Sequence, residues 1–312
     1  MDETFVSLQA IDKAAFKALC RRSDAKGLLQ LFSHLAALGC SGGLVWLAQG
    51  SLWLLPALLL YGVVLTFLFA PLHETIHRTA FENRWLNDAV AWLCGAVLAL
   101  PPAYFRAFHF AHHRYTQDPR KDPELRAPKP ATPWDYLVRL SGLPYWRERL
   151  TTTLQHALGR VESGFIPLRQ RPAIAREARI LLGVYAGLLG LSLATGSLAV
   201  LIYWIVPALL GQPLLRAYLL AEHTGCPLVP DMLRNTRTTT SNALVRWLAW
   251  NMPYHVEHHA YPALPFHALP RAHDALRERI AFLAPGYIAV QKEIWAGLGK
   301  GSGAASGEAP LS

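Results

Sequence analysis

Between Lys26 and Glu74 the chain carries no charged residue, and between Arg179 and Arg216 it again carries none. A helix rises about 1.5 Å per residue and needs about 20 apolar residues to cross a bilayer, so each gap is long enough for a helical hairpin. Buried helices of soluble cores seldom run so far without a charge. The expected spans are residues 28–49 and 51–72, turning near Gly50-Ser51, and residues 176–195 and 198–221, turning near Thr195-Gly196-Ser197. Composition agrees: 52% of residues are hydrophobic and 16% charged, where soluble domains are about a quarter charged.

The placement of charge orients these hairpins. Lys and Arg fall at 13–26, 78–179 and 234–300, with Arg216 between, and none lies near either outer turn. Positive residues collect on the cytosolic side, so both termini and the long polar segments are expected there. The opening "MDETFVSLQAIDKAAFKALCRRSDAK" has no apolar core of a cleavable signal peptide. The net charge of +9 comes without an aromatic-interleaved basic patch, which argues against nucleic acid as a partner and for anionic lipid headgroups. Cys20, Cys40, Cys94 and Cys226 are scattered, with no CxxC pair, and read as inert thiols. The chain divides into a cytosolic amphipathic segment at 1–26, a membrane domain at 27–285, and a tail at 286–312. That tail ends in the low-complexity "GKGSGAASGEAPLS" and is expected to be partly disordered.

Three histidine clusters stand out: "HETIH" (His73, His77), "HFAHH" (His109, His112, His113) and "HVEHH" (His255, His258, His259). Residues three and four apart on a helix are neighbours, so each cluster is expected to present its imidazoles as one convergent patch. Eight imidazoles are too many for one tetrahedral zinc, and two metal ions are implied. Imidazole suits zinc, copper, iron and nickel, so the spacing leaves the metal open. Glu74, Asp118 and Glu257 sit beside the histidines, placed to accept a ring N–H from a ligand and fix its tautomer, or else as solvated charges.

For the three clusters to meet, they must lie on one side of the membrane. "HETIH" begins where the second span ends, so the apolar stretch "AVAWLCGAVLALPPAYF" (89–105) cannot cross; it must lie at the interface or fold back. The second hairpin returns at "AEHTG", which brings His223 to the same side as a candidate ninth ligand, or else as a hydrogen-bonded interfacial histidine. His34, His156, His267 and His273 lack clustered partners and read as structural or solvated. The expected fold is all-α: an integral membrane protein with four transmembrane helices in two hairpins, an interfacial or re-entrant helix, and a cytosolic helical cap carrying the metal site.

In order and spacing these clusters resemble the histidine boxes of the membrane fatty acid desaturase and hydroxylase superfamily, over residues 28 to about 280. The wording "HETIHRTAF", "HFAHHRYTQDP" and "NMPYHVEHHAYPALPFHALP" looks most like bacterial acyl-chain desaturase-like proteins, a group that includes sequences linked to rhizopine catabolism. The resemblance implies that His73, His77, His109, His112, His113, His223, His255, His258 and His259 hold two iron ions. It implies O₂ as cosubstrate and a bacterial inner membrane as location. It also places Asn251 near one iron through water, with a turn role as the alternative.

The implied reaction removes hydrogen from an unactivated C–H bond of a hydrophobic substrate, most directly to desaturate a fatty acyl chain. Hydroxylation, ketone formation or oxidative demethylation of a lipid, carotenoid or rhizopine-like substrate is the alternative. A membrane zinc hydrolase would leave most of the histidines unexplained, and a transporter would want more ionisable groups inside its spans. With no fused haem domain, no clustered cysteines and no GxGxxG, electrons must come from a ferredoxin, rubredoxin or cytochrome b5-like partner. Arg114, Arg120 and Lys121 are basic residues suited to docking it, or else solvated or lipid-facing charges. Trp85, Trp92, Tyr104, Trp247 and Trp250 are candidates to line the substrate route, or interface anchors.

Overall fold

A computed structural model describes residues 11–299. Four helical segments in it are long and apolar enough to cross a membrane: Asp24–Leu47, Leu54–His77, Leu168–Thr195 and Leu201–His223. The first is helix α2, which follows the short α1 (Lys13–Leu19); Ser23 caps α2, its hydroxyl accepting from the backbone N–H of Lys26 at 3.3 Å. The second joins α3 (Leu54–Thr66) to α4 (Phe69–His77), so "HETIH" forms the last turns of the span itself. The third contains α9 (Arg171–Thr195). The fourth opens with a π-helical turn at Leu201–Ile205 and continues as α10 (Val206–His223), with Pro213 inside. Pro207, at the start of α10, removes a backbone donor and crowds the turn at Tyr203, and a wider turn is one way a helix absorbs such a break.

The second and fourth spans form the centre of the bundle. Gly62 of α3 and Gly211 of α10 face each other: a Cβ on Gly211 would lie 2.0 Å from the Gly62 carbonyl oxygen, and one on Gly62 2.4 Å from that of Pro207. Without a hydrophobic drive between helices in lipid, close backbone approach at small residues supplies the packing. Leu29, Phe32, Trp46, Leu189 and Leu193 on the outer spans are exposed, as lipid-facing side chains are.

The stretch at 89–105 folds back. Helices α5 (Arg84–Val97) and α6 (Pro102–Tyr115) meet at 99°. Ala99 takes a left-handed conformation (φ 52°) at the elbow, and Pro101-Pro102 starts α6, where a missing N–H is harmless. A helix that ends among apolar neighbours leaves carbonyls without partners. Here three side chains from other elements donate to them: Tyr185 to Ala96 (2.5 Å), Trp204 to Val97 (2.7 Å) and Tyr145 to Leu98 (3.1 Å).

The remaining elements form a helical cap over the histidine-bearing ends: α7 (Pro133–Leu140), α8 (Leu143–Ala157), α11 (Met232–Asn235), α12 (Ala243–Leu248), α13 (His255–Ala260), α14 (Leu269–Leu276) and α15 (Tyr287–Gly297). Two-residue strands β1 (Thr238–Thr239) and β2 (Leu283–Ala284) pair in parallel. Part of the segment read as a tail is thus helix α15, whose Val290 and Ile294 pack against Tyr136, Leu220 and Ala221; residues 300–312 and 1–10 lie outside the described residues.

If the α3–α10 crossing holds the bundle together, Gly211→Leu will destabilise the purified protein in detergent by at least the ~1–3 kcal/mol typical of overpacking. Gly43→Leu, at an exposed helix position with open space around it, will leave the thermal midpoint unchanged.

Candidate metal centre

Successive residues on a helix point about 100° apart, so positions i and i+4 of an H-x-x-H-H box look one way and i+3 another. The structure follows that geometry rather than the expected single patch per box. Ligand nitrogens of His73, His77, His109, His113 and His258 lie within 4.8 Å of one another, and those of His112, His223 and His259 do so separately. His255 joins the second group, its Nε2 3.2 Å from that of His223. The two boxes divide in opposite senses. In α6 the outer pair, His109 and His113, serves the first group and His112 the second; in α13 the outer pair, His255 and His259, serves the second and His258 the first.

All nine expected histidines are therefore brought together, five in one group and four in the other. In the first, Nε2 of His109 is 2.6 Å from that of His73 and 2.9 Å from that of His113. In the second, Nε2 of His223 is 3.2 Å from that of His112. The Nε2 atoms of His77, His258 and His259 are buried with no hydrogen-bond partner. Buried polar atoms without partners are costly, and a bound cation would satisfy them, so the donor set fits a metal in each group. Burial, reinforced by the neighbouring rings, holds His255, His258 and His259 well below the usual imidazole range. They are neutral, which is the form that ligates metal.

The groups differ in what stands behind them. In the second, Nδ1 of His112 is 3.0 Å from Asp122 Oδ1 and 3.1 Å from Glu124 Oε2. His223 Nδ1 faces the Asn235 carbonyl at 3.3 Å and His259 Nδ1 the Thr116 hydroxyl at 3.2 Å, while His255 Nδ1 makes no hydrogen bond and has the Glu222 carboxylate 3.6 Å away. Such partners orient a ligating ring and raise its basicity. In the first group, Nδ1 of His113 and of His258 have no hydrogen-bond partner.

None of the three carboxylates expected to hold box histidines does so. Glu257, two residues after His255, points away from the histidine face of α13; it bonds to His273 and accepts from the Thr238 hydroxyl at 2.5 Å, fastening the helix to the cap. Glu74 accepts from the backbone N–H of Phe266 at 2.9 Å. Asp118 lies beyond the end of α6 and accepts from the backbone N–H groups of Arg120 and Lys121. Asn251 has a left-handed backbone (φ 59°) after α12, and its amide donates to the Phe266 carbonyl at 3.2 Å. The turn role is the one its hydrogen bond supports. Asp122 and Glu124 take the place expected of the others, at His112, and Glu222 lies near His255 without a hydrogen bond to it; the only sequence signal was adjacency, since Glu222 directly precedes His223.

Among the other histidines, His34 is buried and hydrogen-bonded to the Val64 carbonyl at 2.9 Å, and His273 pairs with Glu257. A cavity of about 380 Å³ adjoins both groups, touching His73, His109, His112 and His255. Of the five aromatic residues considered for a substrate route, Tyr104 lines it. Trp85 is exposed, Trp247 donates to Ser33, and Trp250 is fully buried against Phe266.

The fatty acid desaturase family model matches residues 50–291. The chain is 30% identical to dihydrorhizobitoxine desaturase of Bradyrhizobium elkanii, over 80% of this chain and 73% of that protein. It is 26% identical to the sn-1 oleoyl-lipid 12-desaturase of a Picosynechococcus species, over 80% of this chain and 75% of the relative. It is likewise 26% identical to the rat sphingolipid delta(4)-desaturase/C4-monooxygenase, over 72% and 67%.

Replacing Asp122 by Asn will weaken metal binding in the second group by about 10- to 100-fold, the usual effect of losing a partner behind a ligating histidine. Asp118→Asn will not. Chelator competition on the metal-loaded protein, followed by metal analysis, separates the two.

Proposed function

The chain belongs to the fatty acid desaturase family, and from that premise we propose that it uses two iron ions and O₂ to desaturate a substrate bound in the cavity beside the histidines. One observation carries this reading: nine imidazoles divide into two adjoining groups that open on a single cavity. His73, His77, His109, His113 and His258 hold one iron, and His112, His223, His255 and His259 the other. Bound there, the pair supplies the oxidising power to break a C–H bond with O₂. In balance, a –CH₂–CH₂– unit, O₂, two electrons and two protons give –CH=CH– and two waters.

The chain's own residues aim and insulate this chemistry. Asp122 and Glu124 fix the His112 ring, and Glu222 stands behind His255. Phe69, Phe105 and Phe108 form apolar walls of the cavity beside His73 and His109. They exclude water and hold the reacting carbons.

Electrons enter from the other face of the histidines. A broad basin of about 880 Å³ reaches His77, His113 and His259, and Arg22, Arg106, Arg114 and Arg169 line it against one carboxylate, Asp231. An acidic ferredoxin, rubredoxin or cytochrome b5-like donor fits that charge. With the positive side inward, the basin and cap are cytosolic, as in a bacterial inner membrane. Hydroxylation is the second reading, favoured by the rat relative, whose name joins a desaturase to a monooxygenase.

Purified protein loaded anaerobically is expected to hold about two irons per chain, both oxidised on adding O₂ as followed by Mössbauer spectroscopy. Mass spectrometry of substrates should then show loss of two hydrogens. Gain of one oxygen would select hydroxylation, and zinc with no response to O₂ would overturn both.

A further inference from the structure

The cavity beside the histidines is not lined as an apolar chain alone would require. Arg139 of α7, Arg149 of α8 and Arg216 of α10 line it, with Tyr145 among them. The Arg216 guanidinium lies 4.3 Å from the centre of the Tyr145 ring, and Arg149 lies 5.8 Å from the same ring and 5.2 Å from that of Tyr104. Arg216 belongs to the fourth span, where an ionisable side chain is expensive and marks a function.

The carboxylates of this cavity are otherwise engaged. Glu124 faces His112, Glu222 faces His255, and Glu148 pairs with Arg149. Among the described residues no carboxylate lies within ion-pair distance of Arg216 or Arg139. Arg149 is 7% exposed, and its Nε and that of Arg216 are buried without a hydrogen-bond partner. Stacking on tyrosine rings satisfies the faces of these cations; it leaves the N–H edge of Arg216 without a carboxylate, while Arg149 gives one terminal nitrogen to Glu148 and keeps its Nε unpartnered. A planar fork of free N–H groups is what a carboxylate or phosphate matches.

We propose that Arg149 and Arg216 bind an anionic group of the substrate, so that the C–H bonds to be oxidised lie near that charged end. Arg216 precedes His223 by seven residues, about 10 Å along the helix. The substrate class is therefore an amphipathic anion whose reacting carbons sit within about that distance of its charge, such as a free carboxylic acid. A lipid phosphate offers the same oxyanion chemistry. This inference rests on reading the histidine cavity as the active site.

The test is anaerobic titration calorimetry of the iron-loaded protein in neutral detergent with decanoate, decyl phosphate and decanol, each referenced to protein-free micelles. At least one anion should bind ten-fold or more tighter than decanol, and the stronger of the two tells a free acid from a phosphate headgroup. Arg216→Gln should remove about ten- to hundred-fold of that advantage, and Arg216→Lys should restore part of it, at unchanged iron content. Arg149→Gln serves as the second variant. Equal binding of anions and decanol by the wild type, or a preference undiminished in both glutamine variants, overturns the proposal. No turnover is needed. A protein that binds decanoate selectively but never reacts with O₂ therefore fails the desaturase reading alone; one that oxidises a substrate yet ignores charge fails this inference alone.

Discussion

Everything in the molecule answers to one constraint: nine buried or half-buried imidazoles, carried by four separate helices, have to present their nitrogens to two small volumes. Buried rings that close cost free energy until something satisfies their lone pairs. The spans deliver α4 and α10 to the same level, and the glycine crossing of Gly62 with Gly211 brings them close enough to share a site. The cap then lowers α13 onto them, with Glu257 and Thr238 tying that short helix in place. None of these elements would be stable in this position alone.

The elbow between α5 and α6 solves the hardest part of the placement. Box two must reach the centre from a segment that starts and ends on the same side, so its helix has to begin amid other helices. The freed carbonyls of Ala96, Val97 and Leu98 are met by Tyr185, Trp204 and Tyr145, which come from the third span, the fourth span and the cap. The same Tyr145 then stacks with Arg216. One side chain thereby links the fold of the elbow to the charge of the cavity.

Much of this was legible in the sequence, because the relevant signals are local. Missing charges marked the four spans, and the requirement that boxes share a side turned 89–105 back on itself and singled out His223. What could not be read depended on direction in three dimensions. Asp122 reaches His112 and Asp118 does not, because the chain turns after Tyr115 and Asp118 is spent capping that turn. Glu257 is a neighbour of His258 in sequence but lies on another face of the helix, where it meets Thr238 and His273. Arg216 reads as the end of an uncharged run; only packing reveals that it lines the cavity, with no carboxylate within ion-pair distance among the described residues.

The opposite division of the two H-x-x-H-H boxes has a mechanical consequence. His112 and His113 are adjacent in the chain and serve different groups, as are His258 and His259. The two groups are therefore tied to each other by covalent backbone within single helical turns, twice over, in addition to the contacts between one span and another. When the bilayer thins, thickens or tilts its helices, those two turns resist a change in the spacing of the groups. The spacing of the two histidine groups is thus buffered against the state of the membrane around it.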